Sequence, residues 1–532
     1  MPVPPPAVIA DARKRSASPW IPWSLLAAGF LARLVLARSV FLNADEALHY
    51  LLSVQPSFAL TYQATLTTAH PPLLIVLLHY WSLLGTSEWI LRLPSVLAGT
   101  AFCGLMFLWL ERVANRTTAL IGLSLLLFAP ALIHLSAEIR QYALLQFFAT
   151  GSLYFLERGV GERSPRLMLC SALALYLALL CHYSCFLFAL TLGLYALLRI
   201  RAAKTPAPVT AAWVAGQAGA LAVAGFLLVT HVSHLRATKA PQAIADSYLR
   251  KSIYHPAQDR ALAFVAKSSL RFFHYLFSQG AVGTVGLLLF IVGIVLLLRD
   301  REFEQDPARP TPRLLGLLLA FPFVLNCGAA LFGIYPYGGT RHDSYLAAFA
   351  MTGIAVALAH WKISKTWAMT LTIVVVLAIC NLFPSLAGQH IRAKDQDRKW
   401  MSQAVLRLQS LPPGSVIFTD DQGGMLLSYY LCHARVTQVQ EPYHTFLNSP
   451  CGNYRVISLG PDRWIFDAKF FPGDLQAMQQ AYGLRPGSTV WLFQAGWLID
   501  KEEGLRSVLR QYGDNTPQEF GRNILLWPVT LP

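Results

Sequence analysis

This chain of 532 residues has few charged residues for its length. Only 13% of its residues are Asp, Glu, Lys or Arg and 55% are hydrophobic. Soluble proteins carry roughly 25% charged residues, so this chain has too few to cover a soluble surface of its size. The shortage excludes an ordinary soluble protein and indicates a membrane protein with the lipid bilayer as its partner.

Basic residues are missing altogether from residues 41–91, and this absence helps to orient the chain. Elsewhere Lys and Arg gather in short gaps between apolar runs, at 13–15, 112–116, 158–166, 199–204, 299–313 and 362–365. This arrangement is the positive-inside pattern of cytoplasmic loops. It accounts for the net charge of +15 without a nucleic-acid partner. We therefore expect residues 1–20 to form a cytoplasmic tail rather than a cleavable signal peptide.

Long apolar runs supply the predicted membrane spans. There are about eleven, at 21–41, 92–111, 117–136, 141–157, 166–181, 183–199, 211–231, 280–298, 313–333, 342–360 and 366–388. The run at 71–84 is too short to cross and is predicted to be an interfacial or re-entrant helix. Counting it as a twelfth span would put the basic gap at 112–116 outside, against the charge pattern. Eleven crossings from a cytoplasmic N-terminus leave the C-terminal region outside.

The predicted fold class is an all-α polytopic membrane bundle with a small C-terminal α/β domain outside the cytoplasm. The transmembrane domain covers 21–389, with outer-loop helices in 42–90 and a long outer loop at 232–278. Residues 390–532 contain short apolar runs such as SVIFTD and STVWLF, bounded by Pro-Gly and Asp, which are typical of strands between turns.

Cysteine is also scarce, and only two of the eight residues bear on the outer domain. The other six lie in or beside apolar runs and are predicted to be packing residues. Cys432 and Cys451 lie in the C-terminal region, where an oxidising compartment would allow a disulfide. From the residues alone, a disulfide and two free thiols are equally open.

The strongest candidate for chemistry is the pair Asp45-Glu46, just beyond the first span. Two adjacent carboxylates at a membrane exit are costly unless water or a partner compensates them. On a helix, Asp45 would share a face with His49, and Glu46 with Tyr50. The functional interpretation is a general base and a metal contact. The alternative is a solvated loop start or a helix N-cap.

Four more polar clusters fall on the same predicted side of the membrane. They are His70 before Pro71-Pro72, Glu138-Ile139-Arg140-Gln141-Tyr142, Cys181-His182-Tyr183, and Arg341-His342-Asp343. Each also has a structural interpretation, namely a helix start, an intrahelical ion pair, a turn histidine and an interfacial anchor. Arg33, inside the first span, is either functional or a snorkelling side chain. Carboxylates, histidines and arginines at one leaflet fit a site for an anionic lipid phosphate.

These motifs, in their order relative to the spans, resemble the glycosyltransferase C superfamily. The similar branch contains protein O-mannosyltransferases, the lipid A aminoarabinose transferase and bacterial dolichyl-phosphate-mannose-transferase-like proteins. The residues that carry the resemblance are Asp45-Glu46, His70-Pro71-Pro72-Leu73, Leu91-Arg92-Leu93-Pro94-Ser95, Glu138-x-Arg140-x-Tyr142, His182-Tyr183 and Arg341. The resemblance covers roughly residues 20–390 and says little about the rest.

The resemblance implies that Asp45 and Glu46 are catalytic and that two short helices lie in the outer loop. It also implies a polyprenyl-phosphate-linked sugar donor, used with inversion, and an extracytoplasmic glycan, lipid or protein acceptor. No WWDYG-like motif is present, which argues against an oligosaccharyltransferase, and the lumenal domain of eukaryotic protein mannosyltransferases is missing. His70 stands where the aminoarabinose enzyme has Lys, so the acceptor is open.

The resulting hypothesis is an enzyme in the bacterial inner membrane with a periplasmic active site. Asp45 would act as general base, while Glu46 orients it or shares a cation. The residues predicted to bind the donor phosphate or substrate are His70, Glu138, Arg140, Tyr142, His182, Arg341 and His342. A divalent cation (Mg²⁺, Mn²⁺ or Zn²⁺) on Asp45, Glu46, His70 and His182 is a further candidate, although no metal-ligand spacing stands out. The rival functions are a flippase or transporter of lipid-linked sugars and a non-catalytic membrane scaffold.

Overall fold

The structure is a computed structural model of the chain. It describes residues 20–237, 249–300, 308–360, 366–385, 396–433, 446–460, 463–496, 503–513 and 516–532. The predicted cytoplasmic tail therefore lies almost wholly outside the described residues, as does part of the predicted long outer loop.

Helices occupy every one of the eleven predicted spans. They are α1 (Trp20–Ser39), α5 (Glu88–Val113), α6 (Arg116–Phe128), α7 (Pro130–Ser136), α8 (Tyr142–Gly161), α9 (Pro165–Leu179), α10 (Cys185–Ala203), α11 (Ala207–Leu227), α14 (Gly280–Arg299), α15 (Pro312–Leu331), α16 (Leu346–His360) and α17 (Thr366–Leu382). A π-helical turn at Leu228–Val232 connects α11 to the short helix α12 (Ser233–Arg236), at the start of the predicted outer loop. Within the described residues, six helices are long and apolar enough to cross a membrane, or seven if the bent pair α6–α7 counts as one. The polytopic bundle is confirmed, and eleven crossings remains a prediction because several of the other apolar helices are shorter.

Helix ends in the bundle follow local sequence rules. Asn115, Ser164 and Thr311 cap α6, α9 and α15 by accepting hydrogen bonds from backbone N–H groups of the first turn. Pro130 interrupts the third predicted span, so that α6 and α7 meet at an angle of 61°. Proline suits the first turn of the new helix because it has no N–H to leave unpaired.

The loop after α1 folds into three short helices rather than the two that the resemblance implies. They are α2 (Ala44–Ser53), α3 (Phe58–Thr65) and α4 (Leu73–Trp81), and a 3₁₀ turn over Ser82–Leu84 extends the last. The backbone N–H of Leu73, at the start of α4, donates to the carbonyl of Leu180 in the turn after α9 (3.1 Å). This contact brings the His70 end of the loop to the turn that contains His182. Residues 249–278 include a 3₁₀ turn at Arg250–Ser252 and helix α13 (Ala261–Phe277).

The C-terminal region is the predicted α/β domain. Its helices are α18 (Arg398–Gln409), α19 (Asp421–Tyr430), α20 (Phe471–Ala481) and α21 (Glu503–Leu509). Its strands are β1 (Val416–Thr419), β2 (Phe446–Cys451), β3 (Tyr454–Leu459), β4 (Thr489–Ala495), β5 (Gln518–Glu519) and β6 (Ile524–Thr530). The six-stranded sheet has the order β2-β3-β1-β4-β6-β5. Strand β1 pairs in parallel with β3 and β4, and the remaining pairs are antiparallel. Of the two interpretations of the outer cysteines, the structure has the disulfide, between Cys432 and Cys451.

Candidate active site

Glu46 lies in a sealed network at the start of α2. Asn43 caps the helix by accepting from the Glu46 N–H, and Glu46 Oε2 accepts from the Asn43 N–H, both at 3.0 Å. This reciprocal pair is a capping box. Arg92 donates to both oxygens of the same carboxylate through Nε and Nη2, each at 2.7 Å. Both side chains are fully buried, and the N–H of Ile139 adds a further bond of 2.8 Å. The helix-cap interpretation therefore describes Glu46 well.

Asp45 points the other way and meets two guanidinium groups. Arg140 Nη1 and Arg341 Nη2 lie 2.6 and 2.7 Å from the same oxygen, Oδ2. In the part of the chain that the structure describes, Oδ1 has no hydrogen-bond partner, and the side chain is 16% exposed. Burial acts to raise the pKa of Asp45, but the two arginines outweigh it and hold that pKa below its ordinary value. Asp45 is thus an ionised carboxylate whose two guanidinium contacts both fall on one oxygen.

Different loops deliver the two arginines. Arg140 lies between α7 and α8, where its carbonyl accepts from Ser95 Oγ of α5 (3.2 Å). Arg341 begins a 3₁₀ turn after Gly338. Gly338 has φ +96°, and a Cβ there would lie 2.4 Å from the Ser268 carbonyl oxygen. Only glycine fits that close approach, so the glycines before Arg341 place its side chain at the site.

A row of imidazoles continues from Asp45. The ring centroids are 5.7 Å apart for His49–His70, 5.9 Å for His70–His182 and 5.6 Å for His182–His342. Tyr142 joins the row, with its ring centroid 5.2 Å from that of His182. These five residues come from five separate segments: helix α2, the turn before α4, the start of α8, the turn after α9 and the 3₁₀ turn at Arg341–Asp343.

The hydrogen bonds of two histidines give them opposite tautomers. His49 Nδ1 donates to the Asp45 carbonyl (2.5 Å), which leaves its Nε2 as an acceptor. His182 Nδ1 accepts from the Ser184 N–H (3.2 Å), which makes its Nε2 a donor. Burial, together with the charge of Arg140, lowers the pKa of His49 to about 4 and that of His182 to about 3. Both rings are therefore neutral near pH 7.

Glu138 and Tyr142 complete the predicted set. Burial and the charge of Glu46 raise the pKa of Glu138 to about 7, although Arg341, Arg140 and Arg92 act to lower it. Tyr142 is fully buried, and within the described residues its hydroxyl has no hydrogen-bond partner, which leaves it available to a ligand. Arg140 lies over the Tyr142 ring, 5.7 Å from its centroid.

The four residues predicted to bind a cation do not form a ligand set in this arrangement. Glu46 gives both oxygens to Arg92, and Asp45 faces two guanidinium groups. Among the described residues, no three His, Cys, Asp or Glu side chains are grouped as metal ligands.

Sequence reasoning left three residues of the site without a role. The sequence places His49 on the same helix face as Asp45, and this i, i+4 spacing is the signal that identifies it as a residue of the site. Gln141 Nε2 lies 3.0 Å from His70 Nδ1, a contact that spacing does not reveal. Arg92 was part of a motif, but its pairing with Glu46 needs the folded chain.

Arg33 has a structural role, and its side chain does not snorkel to the membrane surface. Its side chain is fully buried and donates to the carbonyls of Leu126 (3.3 Å) and Leu127 (2.8 Å), at the end of α6. It also donates to the carbonyl of Gly29, one turn back in its own helix (3.0 Å). The break before Pro130 leaves the α6 carbonyls without helical partners, and Arg33 satisfies them.

Comparisons with known proteins agree with this architecture. Residues 69–233 match the sequence model of the family described as dolichyl-phosphate-mannose-protein mannosyltransferase. No curated protein matches the chain significantly. The structure of ArnT from Cupriavidus metallidurans in the apo state has a TM-score of 0.52 and 14% identity, over 95% of this chain and 97% of ArnT.

Two further structures are similar. ArnT from the same organism bound to undecaprenyl phosphate also has a TM-score of 0.52 and 14% identity, over 96% of this chain and 98% of ArnT. The Archaeoglobus fulgidus oligosaccharyltransferase in the apo form is a looser likeness, with a TM-score of 0.46 and 12% identity over 90% of this chain and 70% of the enzyme. The family match and the fold shared with ArnT confirm the predicted resemblance to the glycosyltransferase C superfamily, in its mannosyltransferase-like and ArnT-like branch.

Proposed function

We propose that this multi-pass membrane protein is a glycosyltransferase that moves a sugar from a polyprenyl-phosphate donor to an extracytoplasmic acceptor, with inversion. The observation that carries the proposal is the Asp45 carboxylate held between Arg140 and Arg341, beside a row of neutral histidines. A base and two phosphate-binding cations at one point are what a single displacement at an anomeric carbon requires.

The comparisons support the donor class. The matching family is described by a dolichyl-phosphate sugar and a protein acceptor, and ArnT has been crystallised with undecaprenyl phosphate. Both are long-chain prenyl phosphates. The acceptor of this chain, whether glycan, lipid or protein, is left open by these relatives.

The reaction is one displacement. Asp45 Oδ1 removes the proton from the acceptor hydroxyl as that oxygen forms a bond to the anomeric carbon. The bond between the anomeric carbon and the phosphate oxygen breaks at the same time, and its electron pair leaves on the polyprenyl phosphate. Arg140 and Arg341 stabilise the charge that develops there, with an N–H group of His182 as a further donor. The proton ends on Asp45 and passes to water.

Donor binding prepares the base. Without donor, both guanidinium groups share one oxygen of Asp45 and keep its pKa low, which makes it a weak base. A donor phosphate competes for the same guanidinium groups. As they turn to the phosphate, the pKa of Asp45 rises and the carboxylate becomes a better proton acceptor. The site is therefore most basic when the donor is in place.

The orientation is part of the proposal. Helix α5 begins beside the site at Glu88 and, over 26 residues, carries the chain to the basic gap after Arg112. A straight helix of that length is about 39 Å long, enough to cross a bilayer. The basic gap then lies in the cytoplasm, and the site and the Cys432–Cys451 disulfide lie in the periplasm of the bacterial inner membrane.

The experiment uses purified protein in lipid with a synthetic polyprenyl-phosphate hexose or pentose and an acceptor extract. We expect sugar transfer with release of free polyprenyl phosphate, and slow donor hydrolysis when no acceptor is present. Loss of both in Asp45→Asn supports the assignment. Movement of intact donor across the bilayer, with its phosphate–sugar bond uncleaved, would favour the flippase and overturn the proposal.

A further inference from the structure

The end of helix α19 reaches from the C-terminal domain to the loops that build the active site. Tyr430 is the last residue of this helix, and its hydroxyl accepts a hydrogen bond from the backbone N–H of Leu42 (2.8 Å). The same hydroxyl donates to the carboxylate of Glu88 at the start of α5. Arg398 Nε, also from the C-terminal domain, lies 2.6 Å from the other oxygen of Glu88. A chain of polar contacts around the buried Glu88 therefore joins the two parts of the protein.

Neighbouring contacts hold the same segment. The N–H of Phe41 donates to the carbonyl of Gln396 (3.0 Å), and Val40 forms an antiparallel bridge with Asp397. Tyr429 donates to the carbonyl of Thr86 (2.7 Å), and its ring meets that of Tyr50 edge-on at 5.1 Å. The C-terminal domain thus contacts the chain both before and after Asp45.

These contacts act close to the chemistry. Leu42 directly precedes the N-cap Asn43, and Asp45 is two residues further on. The capping box makes the first turn of α2 rigid, so a shift at Leu42 carries over to the Asp45 carboxylate. Misplacing a catalytic group by about 1 Å can cost about 100-fold in rate.

The disulfide secures this helix end. Cys432 follows Tyr430 by two residues and is bonded to Cys451 at the end of β2. The end of α19 is therefore covalently linked to the sheet, and this link restrains the position of Tyr430 within the C-terminal domain.

We propose that Tyr430 is a positioning residue for Asp45, and that the C-terminal domain is a brace that holds the catalytic loop in register with the arginines. The proposal rests on the proposed function, because its readout is sugar transfer. It gives the C-terminal domain a part in catalysis that does not require the domain to bind a substrate.

The test is Tyr430→Phe, with Tyr454→Phe as matched control. Tyr454 also lies in the C-terminal domain, but its hydroxyl donates to a carbonyl within that domain, that of Gln409 (2.8 Å), and does not contact the loop. We expect Tyr430→Phe to lower kcat about 10- to 100-fold, with KM for the donor within about twofold, because Arg140 and Arg341 come from other loops. Tyr454→Phe should behave as wild type. Equal effects of the two variants, or a pure KM effect, would overturn the proposal.

A double variant tests whether Tyr430 acts through Asp45. If it does, Tyr430→Phe should change the residual turnover of Asp45→Asn little, since the group that it positions has already lost its function. Multiplicative losses would mean that Tyr430 acts elsewhere and would refute the positioning role.

Hydrogen exchange separates this proposal from the proposed function. In Tyr430→Phe, peptides covering residues 40–53 should exchange about tenfold faster or more, whether or not any transfer is detected. Unchanged exchange would overturn the brace even if the enzyme transfers sugar. Faster exchange in a protein that transfers no sugar would instead remove the proposed function and leave the brace as a structural contact.

Discussion

Asp45 and Glu46 are adjacent in the chain, yet they belong to two different charge networks. Glu46 and Arg92 are fully buried, and every oxygen of the carboxylate has a fixed donor. Asp45 is partly exposed, and both of its guanidinium contacts fall on one oxygen. Its two arginines lie outside the α-helices, Arg140 between α7 and α8 and Arg341 in a 3₁₀ turn. A helix turns by about 100° per residue, so neighbours on α2 face opposite surroundings.

We therefore expect Glu46 to contribute mainly to folding stability and Asp45 mainly to the reaction. A sealed ion pair cannot receive a substrate, and its loss leaves a charge without compensation in a low-dielectric interior. An open carboxylate between cations costs less to change, because water can take the place of the lost partner. The variants below test this division, from the largest expected effect to the smallest.

Glu46→Gln should have the largest effect, because it removes the carboxylate that is directly paired with the fully buried Arg92. Breaking a buried pair in this way costs about 3 to 5 kcal/mol, a large part of a typical stability of about 5 to 15 kcal/mol. We expect most of the protein to be lost as aggregate. Size-exclusion chromatography and thermal unfolding in detergent measure this loss. A variant as stable as wild type would show that the sealed network is not structural.

Asp45→Asn should leave the fold intact and stop the reaction. The amide cannot accept a proton at neutral pH, and loss of a general base typically costs about 100- to 10,000-fold in rate. The melting temperature should stay within a few degrees of that of wild type. Turnover with a synthetic donor checks the prediction, and near wild-type turnover would remove Asp45 from the role of base.

Arg341→Lys should lower turnover about tenfold, since Lys keeps the charge but loses the planar fork that can grip two phosphate oxygens. Arg506→Lys is the matched control, because Arg506 also donates to a carboxylate, that of Glu519 (2.6 Å), but lies in the C-terminal domain. Steady-state kinetics should separate the two. Equal activity of the two variants would indicate that Arg341 contributes only its positive charge and makes no bidentate contact with the phosphate.

The smallest expected effect is a change in KM for the donor with pH, caused by the ionisation of Glu138. Its pKa of about 7 means that it gains a negative charge as the pH rises through neutrality. That charge lies near the arginines and opposes the donor phosphate, a diester whose own charge does not change in this range. KM for the donor should therefore rise a few-fold between pH 6 and pH 8, by about the effect of one nearby charge. Glu138→Gln should flatten the profile, and an unchanged slope in that variant would exclude Glu138 as its cause.

Much of this architecture is readable in the residues. The shortage of charge and the long apolar runs predicted the membrane bundle, because apolar segments of spanning length have few other stable environments. Pro-Gly turns around short apolar runs predicted the C-terminal α/β domain. Motif order predicted that Asp45, His70, Arg140, His182 and Arg341 lie on one side, and all of them meet in the structure.

The roles of those residues needed more than order. The pattern Asn43-x-x-Glu46 is a capping box on any helix, so Glu46 could be assigned as a cap or as a catalyst from sequence alone. The contact with Arg92, which is 46 positions away in the chain, favours the cap. Arg33 likewise needed the break in α6–α7 before its buried charge had an explanation.

By itself, then, the sequence determined that the chain forms a bundle of apolar helices of the membrane type, and which polar residue types lie between those helices. These properties follow from local composition and helical periodicity, which act over a few turns. Only the tertiary structure decided that Asp45 is open and Glu46 sealed, that His49 belongs to the site, and that Tyr430 reaches Leu42 across 388 positions. The physical reason is that hydrogen bonds and ion pairs act over about 3 Å, and only the folded chain brings partners from distant loops within that distance.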